Sequence, residues 1–293
     1  MEANRALAEA YIARHLGFSV RDLRNRERPL SLPALTGVRF KRQRNEVDDR
    51  VRAAALVALR AARLVVTAVG GRLAPWSGQR TARAIRDDIL RDSPYVDLDS
   101  LLHFCWRSGI VVIQLAHVPA GGKRFDGMAA SIEGRPVIVL ASGRDGPPWL
   151  AFHLAHELGH LMLGHVGPGS EALVDTSLEG EAGSGARERE ADRFASEVLA
   201  GSAEPRLPDL KEDAAHLAAT AVRSGPRRGI DPGVLVLIYA RSNSRWPVAQ
   251  TALKHLDLHS GGRKRIAEHL RRHLVDANLL DDDDRFLAVL SAA

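Results

Sequence analysis

Two histidines four residues apart, with a glutamate directly after the first, are a residue set that can do metal chemistry. His156-Glu157-Leu158-Gly159-His160 is such an H-E-x-x-H pattern. On a helix, residues four apart differ by about 40° in direction and by one turn in height, so two imidazoles can share one zinc ion. Glu157 lies about 60° from His160, at the edge of the same face, where it reaches a water beside the metal more easily than the metal itself. Catalytic zinc takes three protein ligands and keeps one position open. The candidates for the third are His153, His165, Glu188, Glu190 and Asp192.

These residues need two helices to hold them. Trp149 to Leu163 has helical spacing, is opened by Pro147-Pro148 and is ended by Gly164. Leu154, Leu158, Leu161 and Met162 fall opposite the histidines, as an apolar stripe that buries the helix against a sheet. A second helix is expected over Ala186 to Ala200, with a stripe of Ala191, Phe194, Ala195, Val198 and Leu199. Glu188 points within about 50° of the centre of that stripe, whereas Glu190 lies about 110° away and should face solvent. Glu188 is therefore the favoured third ligand. Asp192, about one turn further on, is placed to hold a ligand histidine by its other ring nitrogen. His153 shares the histidine face as an ordinary helix residue or a group beside the site, and His165, past the helix stop, is expected to be exposed.

Around these helices the chain divides into three. Residues 1–80 are expected to be a basic helical region, with helices over Ala3 to Leu16 and Val51 to Val69 and a Pro- and Ser-rich connector between them. Residues 81–200 are expected to form the catalytic domain. It starts with helices over Gln79 to Arg91 and Leu101 to Ser108. Strands follow at Ile110 to Val118, Gly127 to Ile132 and Pro136 to Ala141. The last of these could pair with an extended substrate if it lies at a sheet edge. Val166 to Gly185 is glycine-rich and aperiodic, and reads as a loop near the cleft. Residues 201–293 are expected to be mostly helical. Val234 to Tyr239 is a strand or a buried helix, Gly262 to Val275 a basic helix, and an acidic run spans Asp281 to Asp284.

Composition narrows the class. The chain has 293 residues, 45% hydrophobic and 26% charged, enough for real hydrophobic cores. Its single cysteine, Cys105, lies between Phe104 and Trp106 and is expected in the core. With no disulfide available and no basic-then-apolar leader, the cytoplasm is the expected compartment. No membrane partner is expected, because Arg60 and Arg63 interrupt the most apolar stretch. Residues 1–80 hold 16 Lys and Arg against 7 Asp and Glu, whereas the remainder holds 25 against 29. This basic third permits non-specific contact with nucleic acid. It shows no helix, short turn and base-reading helix in sequence, so sequence-specific DNA binding is not expected.

Taken in order, four segments resemble the ImmA/IrrE metallopeptidase family. They are Lys123-Arg124-Phe125-Asp126-Gly127-Met128, Gly134 to Leu140, Leu154 to Leu163 around the H-E-x-x-H pattern, and Glu188-Arg189-Glu190-Ala191-Asp192-Arg193-Phe194-Ala195. The likeness covers about Leu101 to Ala200. It implies zinc held by His156, His160 and Glu188, and a helix-turn-helix repressor as protein substrate, in gene regulation or a stress or mobile-element response. The family's usual asparagine after the alanine is Asp192 here, and its usual methionine-proline is Ala200-Gly201.

The expectation is therefore an α+β, zincin-like fold, a small antiparallel sheet packed with two metal-bearing helices and flanked by helical regions. Its function would be that of a one-zinc endopeptidase, with Glu157 as general base. The alternative is a DNA-binding or regulatory protein that keeps the fold without proteolysis, against which the intact Glu157 argues. A closed structural zinc site would call for four protein ligands.

Overall fold

The computed structural model describes residues 6, 9–10, 12–15, 19–25, 38–40, 49–117, 125–166, 172–175, 185–208, 213–275, 277 and 279–291. Most of the expected helix over residues 3–16 and the connector at 28–37 lie outside these. The fold is mixed α+β. Its strands are β1 (Val38–Phe40), β2 (Val111–Gln114), β3 (Gly127–Ile132), β4 (Arg135–Leu140) and β5 (Ala172–Asp175). The helices run from α1 (Val20–Arg24) and α2 (Asp49–Val69) through α3 (Ala82–Ile89) and α4 (Leu98–Arg107) to α5 (Pro147–Met162) and α6 (Ala186–Ala200). After them come α7 (Ala214–Ser224), α8 (Pro232–Asn243), α9 (Trp246–His255), α10 (Gly262–Leu274) and α11 (Asp281–Ser291).

The sheet has five strands in the order β1-β5-β3-β4-β2, and the middle of it carries the core. It is mixed, which corrects the expectation of an antiparallel sheet. β3 and β4 form a hairpin through Glu133-Gly134, and β3 also pairs antiparallel with β5. β2 instead runs parallel to β4, and β1 parallel to β5. The reason is topological. The last residue of β2, Gln114, and the first of β3, Gly127, both lie beside Leu140, so β2 runs opposite to β3 and hence parallel to β4, on whose far side it pairs. This makes β4 an interior strand. Its backbone is engaged on both sides, and it offers no edge to a substrate.

Alternation along the strands sends each residue set to its own layer. Val112, Ala129, Ile138 and Leu140 meet Leu154, Leu158 and Leu161 of α5 on one face. Val111, Ile113, Met128, Val137 and Val139 meet α2 on the other. Helix α2 presents Ala54, Ala58, Ala61 and Ala62, small residues that let it lie close. Ala53–Arg72 is the one described stretch long and apolar enough to cross a membrane, and 61% of its apolar window is buried inside the protein. That burial accounts for its composition. Cys105 is buried in the α5-side core, where desolvation pushes its thiol up.

Two further differences from expectation bear on the site. β5 lies within the stretch expected to be an aperiodic loop; cross-strand partners supplied by β3 and β1 give Ala172-Leu173-Val174-Asp175 an extended conformation with no periodic signal of its own. The remaining parts of that stretch, 167–171 and 176–184, lie outside the described residues. Val234 to Tyr239 is helical. It belongs to α8, whose N-terminus is capped by Asp231 and opened by Pro232.

Candidate metal centre

Helix α5 starts at Pro147-Pro148 without a side-chain cap, which proline tolerates because it lacks the amide proton that a cap would satisfy. It keeps nearly every residue out of water. The apolar stripe meets the sheet as expected, but the opposite side is covered too, by α6, so His156, Glu157 and His160 are all buried. Gly159 makes the close approach of the helices feasible. A Cβ there would meet the Ala191 Cα at 3.2 Å and its carbonyl oxygen at 3.3 Å.

Helix α6 buries the stripe expected for it and, in its first turn, Glu188. Its far end is fixed by Arg86 of α3. That guanidinium donates to the carbonyls of Val198, Leu199, Arg228 and Gly229 at 2.8–3.0 Å. A cation at a helix C-terminus opposes the negative end of the helix dipole, and here it also ties α6 to the segment leading into α8.

The two helices bring His156, His160 and Glu188 together. One ligating atom from each lies within 4.8 Å of the others. The Nε2 atoms of His156 and His160 are 3.1 Å apart. Glu188 Oε2 is 3.4 Å from His156 Nε2, and Oε1 is 3.6 Å from His160 Nε2. For metal–ligand distances of about 2.0–2.2 Å, the edge of a tetrahedron is about 3.3–3.6 Å. The spacing fits a single ion.

The outer hydrogen bonds decide which ring atoms carry protons. His156 Nδ1 is 2.9 Å from Asp192 Oδ1; the carboxylate accepts, so Nδ1 carries the proton. His165 Nε2 is 3.1 Å from Glu190 Oε2 and donates to it. The other nitrogen of that neutral ring must then accept. His160 Nδ1, 2.9 Å away, is accordingly the donor. Both Nε2 atoms of the pair are left with lone pairs facing each other beside a carboxylate. Such a cluster is repulsive without a cation among it and is what a divalent metal requires.

Electrostatics point the same way. Burial pushes His160 below the ordinary imidazole range, and this outweighs the opposing pull of Glu188. Burial would raise Glu188, but the two imidazoles beside it, His156 and His160, outweigh that and hold it well below the usual carboxylate range. A neutral histidine beside an ionised glutamate is the state that accepts a cation.

The other candidates sit around this cluster. Glu157 packs against the backbone at the start of β3: a Cβ on Gly127 would lie 2.3 Å from Glu157 Oε1. Gly127 therefore leaves the room that the Glu157 side chain occupies, which spacing alone did not reveal. His153 is buried, one turn before the cluster, and its Nε2 is 3.3 Å from Ser142 Oγ. Burial lowers it to about 4, against the pull of Asp126. His165, expected to be exposed, is 8% exposed. Glu190 does face solvent, with 58% of its side chain exposed, yet it holds His165. The helix stop at Gly164, which in sequence puts His165 in solvent, instead turns it inward. Gly164 takes φ 72°, and the His165 amide donates back to the His160 carbonyl at 2.9 Å, turning the ring under the helix.

Residues 105–207 match the family model of the IrrE N-terminal-like domain of peptidase M78. Over this segment the chain is similar to the ImmA/IrrE family. The IrrE-like segment contains every residue of the cluster, and the match supports a metallopeptidase-type function. No curated protein gives a significant match to the chain. Support for the segment comes partly from beyond its limits, since α3 fixes the end of α6, and Val234 and Leu235 of α8 share the α5-side core.

Proposed function

We propose that the chain is a single-zinc endopeptidase in which His156, His160 and Glu188 hold the metal and Glu157 is the general base. The observation that carries this reading is the convergence of His156 Nε2, His160 Nε2 and the Glu188 carboxylate, 3.1–3.6 Å apart. A zinc ion held by His156, His160 and Glu188 would supply an acidified water and a Lewis acid for the scissile carbonyl. Glu157 takes the proton of the attacking water and delivers it to the leaving amine, the acid–base role that a carboxylate at this spacing can fill. Gly127 leaves room for its carboxylate, Asp192 keeps His156 in the tautomer that binds metal, and the packing of α5 against α6 excludes bulk water.

The proposed substrate is a cytoplasmic helix-turn-helix repressor, a reading that rests on the family resemblance. The proposed division of labour gives catalysis to 81–200 and any non-specific phosphate contact to the basic region 1–80, with 201–293 as helical support. The test is to incubate the zinc-loaded chain with the repressor encoded beside its gene. One discrete cut is expected, absent with Glu157→Gln. An intact repressor at full zinc occupancy would remove that substrate. Tight operator binding that survives ~200 mM salt while random DNA is released would favour a DNA-binding regulator instead.

A further inference from the structure

We propose that His165 is a positioning residue for the metal centre, fixing His160 in its metal-binding tautomer, and that Glu190 in turn orients His165. The inference rests on the zinc reading above and deepens it. The two histidines of the motif are held by different means. Asp192, with a side chain 31% exposed, accepts from the Nδ1 of His156. His160, fully buried, is served by another imidazole, with ring centroids 5.1 Å apart and planes tilted by 58°.

An imidazole can accept or donate at either nitrogen, so it fixes a neighbour's tautomer only if its own is fixed. Glu190 does this by accepting from the far nitrogen. Main-chain geometry holds the ring in place, through the left-handed Gly164 and the bond from the His165 amide to the His160 carbonyl. If His165 turned its Nδ1 proton toward His160, the latter would have to accept at Nδ1 and carry its own proton on Nε2. That proton would occupy the position facing His156 and Glu188.

The consequence is specific to hydrogen-bond acceptance and separable from packing. His165→Leu keeps bulk and loses the acceptor; His165→Gln keeps an acceptor oxygen. Zinc affinity is to be measured by competition with a chromophoric chelator, alongside the thermal midpoint of each metal-free protein. His165→Leu should weaken zinc binding about 10–100-fold, the usual scale for losing a partner behind a ligand, while His165→Gln stays within ~5-fold of the native protein. Glu190→Ala should give a smaller loss of roughly 3-fold, because water can replace an exposed carboxylate. Native affinity in His165→Leu would overturn the proposal, as would an equal loss in both His165 variants. A metal-free midpoint that falls in step with affinity would mark a merely structural role and overturn it too. If the native chain bound no zinc, the metallopeptidase reading itself would fail. If the native chain binds zinc and loses it in His160→Ala, an unaffected His165→Leu refutes this inference alone.

Discussion

Helix α5 buries 14 of its 16 residues and α6 seven of its 15, although both supply groups to the same cluster. The difference follows from position. Helix α5 lies between the sheet and α6, with α4 and α8 completing its surroundings, so two imidazoles and a carboxylate sit where core side chains would. Helix α6 is an ordinary surface helix, apolar on one side and charged on the other, that places one carboxylate inward from its first turn. A metal site assembled this way takes its rigidity from α5 and its charge from α6. It also follows that substitutions of comparable size should have very different consequences on the two helices.

The largest effect should come from the polar groups within the buried helix. Glu157→Gln should retain metal and lower turnover by about 10²–10⁴-fold, the range expected for losing a general base. Gly127→Ala should act in the same direction from outside the helix, because the added methyl would displace the Glu157 carboxylate. Assays of peptide hydrolysis together with bound-zinc analysis check both. Full activity in Glu157→Gln at unchanged zinc content would end its role as base.

Next comes packing on the sheet side of α5. Leu158 is wholly buried and lies in the core shared with the sheet. Leu158→Ala should destabilise the protein by about 2–5 kcal/mol, combining lost transfer energy with a cavity. Denaturant unfolding of the metal-free protein would measure it. A loss below ~1 kcal/mol would mean that α5 is far less tightly enclosed than its burial implies.

A third effect is tied to pH. His153 is buried and lowered to about 4 in the folded protein, below its unfolded value of about 6.5. Between these values the unfolded chain binds the extra proton, so stability rises with pH. The contribution is present above about 6.5 and is lost as pH falls toward 4, amounting to about 3 kcal/mol across the window. Native protein and His153→Gln should therefore differ in the slope of unfolding free energy between pH 4 and 6.5, with the variant the flatter. Parallel curves would show that His153 does not titrate within the core.

The contrast between the two helices also explains what could be read from sequence. The α6 stripe and the inward direction of Glu188 are legible because an amphipathic helix shows its buried side as a periodicity. The enclosure of α5 is hidden, since His153, His156, Glu157 and His160 count as polar in any pattern while occupying core positions. Strand β5 has no pattern because its pairing comes from neighbours far away in the chain. The same holds for β2, whose parallel partner β4 follows it in the chain only after β3. His165 could be placed only after the left-handed turn at Gly164 was known.

The smallest effect should lie on the outer side of α6, where Arg193 is paired with Glu204 at 2.5 Å and both side chains are mostly exposed, at 58% and 62%. The short contact invites a large value, but an exposed pair of long side chains gains little. Water already solvates both charges, salt screens them, and ordering them costs side-chain entropy. The pair also lies beyond the metal cluster, on the face that α6 turns to solvent. Arg193→Ala should therefore change unfolding free energy by less than ~1 kcal/mol and leave zinc affinity unaltered. Unfolding at low and high salt separates the alternatives. A loss above ~2 kcal/mol that persists at 1 M salt would require the side chain to contribute packing as well as charge. In that case the outer side of α6 would be structural, and the division between an enclosed helix and a surface helix would no longer describe this site.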